Sequence, residues 1–448
     1  MIRRTATFLA VTCALGCGPA GVSGVFDVRP VTLAPCALSP VVPARVQQGE
    51  VVRIPLLPSR SNVTLAVVTV PAGAEATLEG DVLVFRPGFE SLGASAVLEL
   101  EFTCGGATTT VPVRVPVMGQ VKWGAPVTWA ATAGPDAREH PLLFIDASAP
   151  DVLWLYGGFS FVPRQFTVVN DLWRFDLNAN TWTKVDAMNA PLLGGGRISA
   201  GLRAGEFFLF GGQTPADDVS SEVYRFDVTQ TPVRFERLTT SGNAPIATLG
   251  ALVPDAARRR LISFGGYTGA DISNAVHTLS LDAPNAWSSE GAMGPSPRYG
   301  FFAARDGERL IVFSGAQRPS GSNQINAAGD VWALELATLR WTKLADATVD
   351  APGRRNGCGG IDPATRRFYV WSGTPDGLSA TPMLSVLELS RTPAVWSRVS
   401  APMPPTARGS CSAIVDAPRR RMLFGFGNTL GQQFADLQVL ELGDAPAP

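Results

Sequence analysis

Six times along this 448-residue chain a run of apolar residues ends in a glycine pair or a close variant, at intervals of roughly 54 residues. The copies read VLWLYGG at 152–158, FFLFGG at 207–212, LISFGG at 261–266, LIVFSG at 310–315, FYVWSG at 368–373 and MLFGFG at 422–427. A loop follows each copy, then a second apolar run: DLWRFDL at 171–177, EVYRFDV at 222–228, AVHTLSL at 275–281, DVWALEL at 330–336, LSVLEL at 384–389 and DLQVLEL at 436–442. In five copies an aromatic lies 21 to 26 residues past the second glycine: Trp182, Phe235, Trp287, Trp341 and Trp396. A unit of short strands this size cannot bury both faces alone, whereas copies stacked radially bury them against one another. The glycines allow a close backbone approach or a positive φ where a side chain would clash. The tryptophans are expected to fill the core between units.

The sixth copy stops at Leu442 with no aromatic after it, and VKW at 121–123 precedes the first copy. Residues 120–129 are therefore expected to supply the outer strand of the last unit, which removes an open sheet edge. Composition agrees with an all-β chain. Hydrophobic residues make up 46% and charged residues 17%, enough for a large core. The 46 Gly and 36 Pro signal many turns, and no long stretch repeats apolar residues every three to four positions. A formal net charge of −1 without a domain-wide basic stripe argues against nucleic acid as a partner.

Together these elements resemble the kelch repeat, over about 325 residues. The resemblance implies a six-bladed kelch-type β-propeller at 119–445, preceded by a small β-sandwich domain. With strands a to d named from centre to rim, the a–b and c–d turns share one face and the b–c and d–a loops the other. The a–b turns DAARRR at 255–260, DPATRR at 362–367 and DAPRRR at 416–421 read as charged hairpin tips, with Asp suited to open a type I turn. The b–c loops are long and dissimilar, and variable loops on a rigid scaffold are where binding usually resides. Phe161 and Phe166 in the first such loop are candidate anchors for a protein partner or a glycan; packing on the N-terminal domain or on neighbouring loops is the other reading. Arginines recur where strand a begins: Arg138, Arg197, Arg298, Arg355 and Arg408. The kelch resemblance implies that they contact acidic ligands, for which the guanidinium fork is suited. The alternative is pairing with neighbouring carbonyls or acids.

The kelch fold also includes copper radical oxidases, which need paired histidines and tyrosines. This chain has two histidines, His140 and His277, in different strand types of different blades. No catalytic residue, metal or cofactor is assigned. Sugar-acid mutarotases share the six-bladed form, and Arg138, Glu139 and His140 would offer an anion clamp with acid/base partners. Three adjacent residues of a strand cannot all face one way, however. The expected function is binding of a protein or glycan through the b–c and d–a loop face, by a monomer. A mutarotase-like or other carbohydrate-active enzyme is the alternative.

The N-terminus reads as a targeting segment. MIRR at 1–4 is basic, and the mostly apolar run 5–16 is too short to span a hydrocarbon layer of about 30 Å as a mature helix. The residues before Cys17 resemble the lipobox of bacterial lipoproteins, with Ala14 where that family usually has Leu. This implies a signal peptide at 1–17 and lipidation of Cys17. Gly18 then favours an outer-membrane or cell-surface position, with the lipid as the sole membrane attachment; a secreted or periplasmic protein is the alternative. Residues 26–118 carry short alternating segments at 51–54, 63–70, 82–85, 96–102 and 108–117, which suggests a sandwich. The pattern is similar to immunoglobulin-like or cadherin-like repeats and implies a spacer. Four cysteines lie beyond the signal segment, an even number that suits a disulfide-permitting compartment. Cys36 and Cys104 flank the first domain. Cys358 and Cys411 each follow an arginine in successive a strands, where they form either a disulfide or two buried thiols.

Overall fold

In a computed structural model of the chain, the described residues are 36–44, 46–59, 63–89, 95–118, 120–130, 132–161, 167–291, 294–319 and 324–443. The signal segment with Cys17, and Phe166, lie outside them. The first part of the chain forms two facing sheets. One orders Val46–Gln47, Ala107–Met118, Ser95–Cys104 and Val63–Thr69; the other orders Val52–Pro55, Val82–Arg86 and Glu75–Glu79. Their inner faces share one core of Val46, Ile54, Leu83, Phe85, Leu98, Leu100, Val113 and Val115. The strict alternation of Ser95–Cys104 delivers Ala96, Leu98 and Leu100 to that core. A Cys36–Cys104 disulfide ties the entry of the domain to the end of this strand. Glu75–Glu79 was not among the expected strands.

Among the described residues the remaining chain forms six four- or five-stranded antiparallel sheets. Blade 1 runs through Leu142–Ile145, Val152–Ser160, Thr167–Asp176 and Thr181–Val185. Blades 2 to 5 repeat the meander over 197–237, 251–289, 302–346 and 358–398. Blade 6 takes Ser412–Asp416, Arg421–Gly425 and Asp436–Glu441 from the end of the chain. Its rim is Lys122–Trp123 and Val127–Thr128: Trp123 pairs with Leu440, Lys122 with Glu441 and Thr128 with Asp436. The ring is thus closed by a segment that precedes blade 1, as expected.

Each pair of neighbouring blades buries its own apolar cluster. Phe144, Trp154 and Tyr156 meet Phe207, Phe226 and Phe235 between blades 1 and 2. Leu153, Phe175 and Trp182 meet Leu423 and Phe426 between blades 1 and 6. Trp123 packs edge-on to Trp371, 5.5 Å between ring centres, in the cluster between blades 5 and 6. The blades are stapled again at the a–b turns. Arg366 reaches back to Asp306 at 2.7 Å, Arg420 to Asp362 at 2.5 Å, and Arg419 reaches forward to Asp151 at 2.5 Å. Each of the three arginine runs carries at least one inter-blade link, made by Arg260 to the Leu336 carbonyl in the first, while Arg258 and Arg259 bond within their own blade.

The glycine pair has a specific job. In all six copies its first residue has φ between 56° and 66°, and its second between 85° and 111°. The first is left-handed helical, which Ser314, Ser372 and Phe426 adopt as well. The second lies beyond that region and is glycine in every copy. A Cβ there would meet backbone: 2.6 Å from the Glu139 carbonyl oxygen at Gly158, 2.8 Å from that of Arg355 at Gly373, and 2.4 Å from that of Gly409 at Gly427.

The sandwich is docked on the propeller face that carries the a–b and c–d turns. Arg86 forms a buried ion pair with Glu388 at the end of strand c of blade 5, and Arg391 lies 2.9 Å from Glu75. Arg367, in the a–b turn, donates to the Gln48 carbonyl at 2.5 Å and sits over the Phe89 ring at 4.8 Å. Phe89 itself joins the core cluster between blades 5 and 6.

Candidate functional site

The d–a loops and the starts of the a strands build a ring at the opposite end of the channel. His140, Gly195, Leu249, Gly300, Asn356 and Ser410 occupy one structural position in the six blades, each with φ between 47° and 59°. Backbone N–H groups donate from His140 to Ser410, Ser410 to Asn356, Asn356 to Gly300, Gly300 to Leu249 and Leu249 to Gly195, at 2.5 to 3.1 Å. This register places the recurring arginines. Arg138, Arg298 and Arg408 stand two residues before the ring, and each is no more than 1% exposed. Arg138 donates to Asp171 at 2.5 and 3.1 Å, Arg298 to Asp330 at 2.7 and 3.3 Å, and Arg408 to Asp436 at 2.5 and 3.3 Å. Each also donates to the carbonyl of the first residue of its blade's glycine pair, at 3.1 to 3.2 Å. The carboxylate lies in strand c of the same blade, and a side chain two residues on, Trp173, Trp332 or Gln438, donates to it. Burial pushes the Asp171 and Asp330 carboxyls up, but the arginine and tryptophan donors outweigh it and hold both below the usual range.

These three arginines are therefore internal clamps, and the expectation that they meet an acidic ligand is corrected. Arg197 is corrected differently, and Arg355 does not stand at the clamp position. In blade 5 the clamp position belongs to Arg354, 1% exposed, which donates to the Val370 carbonyl and to Ser385 Oγ at 3.1 and 3.3 Å. Arg355, one residue on, is half-buried and donates to the Asp376 carbonyl at 3.0 Å. Arg197 lies inside strand a of blade 2, where the clamp position is Leu193. Its guanidinium crosses into blade 3, where that position is Ala247, and donates to Ser263 Oγ at 2.6 Å and the Gly265 carbonyl at 2.9 Å. It thus takes the glycine-pair carbonyl that blade 3's missing arginine would have taken. Among the described residues neither Arg197 nor Arg354 meets a carboxylate, and burial lowers their pKa values to about 9 and about 10.

With Arg138 turned inward, Arg138, Glu139 and His140 do not converge as a clamp. Burial lowers the His140 pKa to about 4, so the imidazole is neutral at ordinary pH. Glu139 faces the loop side. Its Oε1 accepts from Asn428 Nδ2 at 2.9 Å and Gln433 Nε2 at 3.1 Å. Burial raises its pKa, against the pull of these amide donors. Gln433 Oε1 accepts the backbone N–H of Phe161 at 3.0 Å, and its amide also donates to the Phe159 carbonyl at 3.3 Å. These residues line an open cleft of about 680 Å³ between the loops of blades 6 and 1, with Phe161 44% exposed at its edge. A second cleft, of about 650 Å³, lies between blades 4 and 5 and is lined by Gln324, Asn326, Gly353 and Asp376. Phe161 is thus on the loop side, away from the sandwich. The sequence marks Glu139 as an acid or base beside Arg138 and His140, and carries no signal for Asn428 or Gln433, which lie 289 and 294 residues away in the chain.

Cys358 and Cys411 are joined by a disulfide with a Cα–Cα distance of 5.5 Å, linking the inner strands of blades 5 and 6. They are one residue out of step, since Cys358 pairs with Trp371 while Ser412, not Cys411, pairs with the matching Gly425.

A family model described as the KLHDC2/KLHL20/DRC7 Kelch-repeats domain matches residues 140–355 and 254–445. The chain is 26% identical over 338 residues to acyl-CoA-binding domain-containing protein 4 of Arabidopsis thaliana, covering 71% of this chain and 47% of that protein. It is 27% identical over 350 residues to acyl-CoA-binding domain-containing protein 5 of the same plant, covering 74% and 50%. It is also 23% identical over 271 residues to the leucine-zipper-like transcriptional regulator 1 homolog of Drosophila melanogaster, covering 57% and 26%. The chain spans about half or less of the length of these relatives.

Proposed function

Because the chain belongs to the kelch-repeat family, we propose that its propeller is a binding scaffold, and that a partner docks on the b–c and d–a loop face. One observation carries this reading. The sandwich is fixed to the a–b and c–d turns through Glu388 and Arg367, so the opposite face, with its two clefts and exposed Phe161, is left for a partner. The blades behind it are clamped by buried Arg–Asp pairs, giving loops of unlike sequence a stiff mount. A photo-crosslinking residue at position 161 captures a protein partner in this reading, and one at the turn-side Arg259 does not. Capture from position 259 alone overturns the choice of face.

The sandwich, similar in pattern to immunoglobulin-like or cadherin-like modules, serves in this reading as a rigid pedestal. Export and lipidation at Cys17 complete the proposal. Two disulfides support it, because such bonds persist in oxidising compartments. Cys17→Ser moves the protein from the membrane pellet to the soluble fraction; an unchanged distribution contradicts the anchor.

A further inference from the structure

We infer that the cleft between blades 6 and 1 is a saccharide site, with a sugar ring laid on Phe161 and its hydroxyls held by Glu139, Asn428 and the Gln432–Gln433 strand. The inference rests on the loop face being the binding face and names the chemistry of one part of it. The lining is the first argument. Besides Glu139, its polar side chains are uncharged: Asn428, Thr429, Gln432 and Gln433. Each primary amide sets a donor pair beside an acceptor, and Thr429 is both donor and acceptor. A hydroxyl also donates and accepts, so a polyol can meet Glu139, Asn428, Thr429 and Gln432, while the Gln433 amide is committed to holding Glu139, Phe159 and Phe161; a phosphate or a carboxylate finds no cation among the lining residues. The Glu139 carboxyl offers hydrogen-bond acceptors to hydroxyls. A lining of one acid and several amides matches a neutral sugar.

The second argument is geometry. Phe161 is 44% exposed although it stands one residue after a strand whose last eight residues are all buried. Its main chain is not loose, since its N–H is held by Gln433 Oε1 at 3.0 Å. The same amide holds Glu139 through its nitrogen at 3.1 Å. One side chain therefore sets the spacing between the Phe161 backbone and the carboxylate before any ligand arrives, which lowers the ordering cost of binding. Gly431, in the hairpin joining Asn428–Thr429 to Gln432–Gln433, has open space among the described residues where a Cβ would stand. An open cleft of about 680 Å³ lies within the usual volume range of small-ligand sites.

The test uses the mature exported chain with neutral β-linked oligomers of glucose, galactose and N-acetylglucosamine, and with oligomers of the matching uronic acids. Saturation-transfer NMR reads contact with the ring protons, and calorimetry reads affinity. The expected result is that at least one neutral oligomer binds, with transfer to its ring C–H protons. Phe161→Ala weakens it at least tenfold and removes that transfer. Glu139→Gln, which keeps the shape, weakens it at least fivefold. Gln433→Ala, a positioning change, weakens it while Arg259→Ala on the far face leaves it alone. No binding by the neutral set, binding by the uronic acids alone, or full binding by Phe161→Ala overturns the saccharide site. If a protein still crosslinks from position 161 when no sugar binds, the loop-face reading survives and the sugar does not; if crosslinking also fails, both fall.

Discussion

Arg298 and Asp330 show how a surface-looking motif becomes core. Arg298 is fully buried and makes two bonds to a carboxylate that Trp332 also holds. Removing one member of such a pair leaves the other charge buried and unanswered. Arg298→Ala is expected to cost roughly 3–5 kcal/mol, read as a lower urea midpoint, while Arg298→Met with Asp330→Leu recovers much of the loss. Equal losses in the single and double variants contradict the account. The sequence showed that arginine recurs, but not which way it points. In blade 5 two arginines stand side by side, and the turn residue Asn356, with φ of 55°, selects Arg354. Nothing in a single sequence marks that left-handed residue among Asn, Ser, Leu and His. The swap in which Arg197 serves blade 3 is equally hidden, because it depends on two blades being neighbours.

At the scale of elements, the b strands were the legible part. Each is a short apolar run closed by a glycine that cannot be replaced, so six copies stand out against weaker surroundings. Glu75–Glu79 escaped notice because it reads EATLE, with only Ala76 and Leu78 turned toward the sandwich core. The rim strands were marked by an aromatic alone, and Trp182, Trp287 and Trp396 are buried as that role demands. Between elements, the Cys358–Cys411 bond closes a sequence separation of 53 residues. The chain-entropy relation assigns a loop of that length about 4 kcal/mol. Cys358→Ser with Cys411→Ser should lower the melting temperature clearly and leave the circular-dichroism spectrum unchanged, since both side chains already sit in the core between blades 5 and 6. An unchanged melting temperature would show that the bond does not restrain the unfolded chain.

The whole molecule joins two ideas, a ring closed by its own N-terminal edge and a face kept apart from the sandwich. Closure was readable, because a lone VKW before the first copy matched an aromatic absent after the last. The cleft was not. Phe161 and Gln433 are 272 residues apart and meet only because the first and last blades become neighbours. The docking of the sandwich was also invisible, since Arg86, Glu388 and Arg367 are ordinary charges until two domains bury them. Ring closure therefore underlies the cleft, the clamped loops and the proposed function alike. It is tested most directly by Lys122→Cys with Glu441→Cys, at positions that pair across blade 6. The account predicts a spontaneous 122–441 disulfide in the folded protein, seen by peptide mass mapping beside the two native bonds. Free thiols at both positions, in a protein that otherwise keeps its fold, would contradict it.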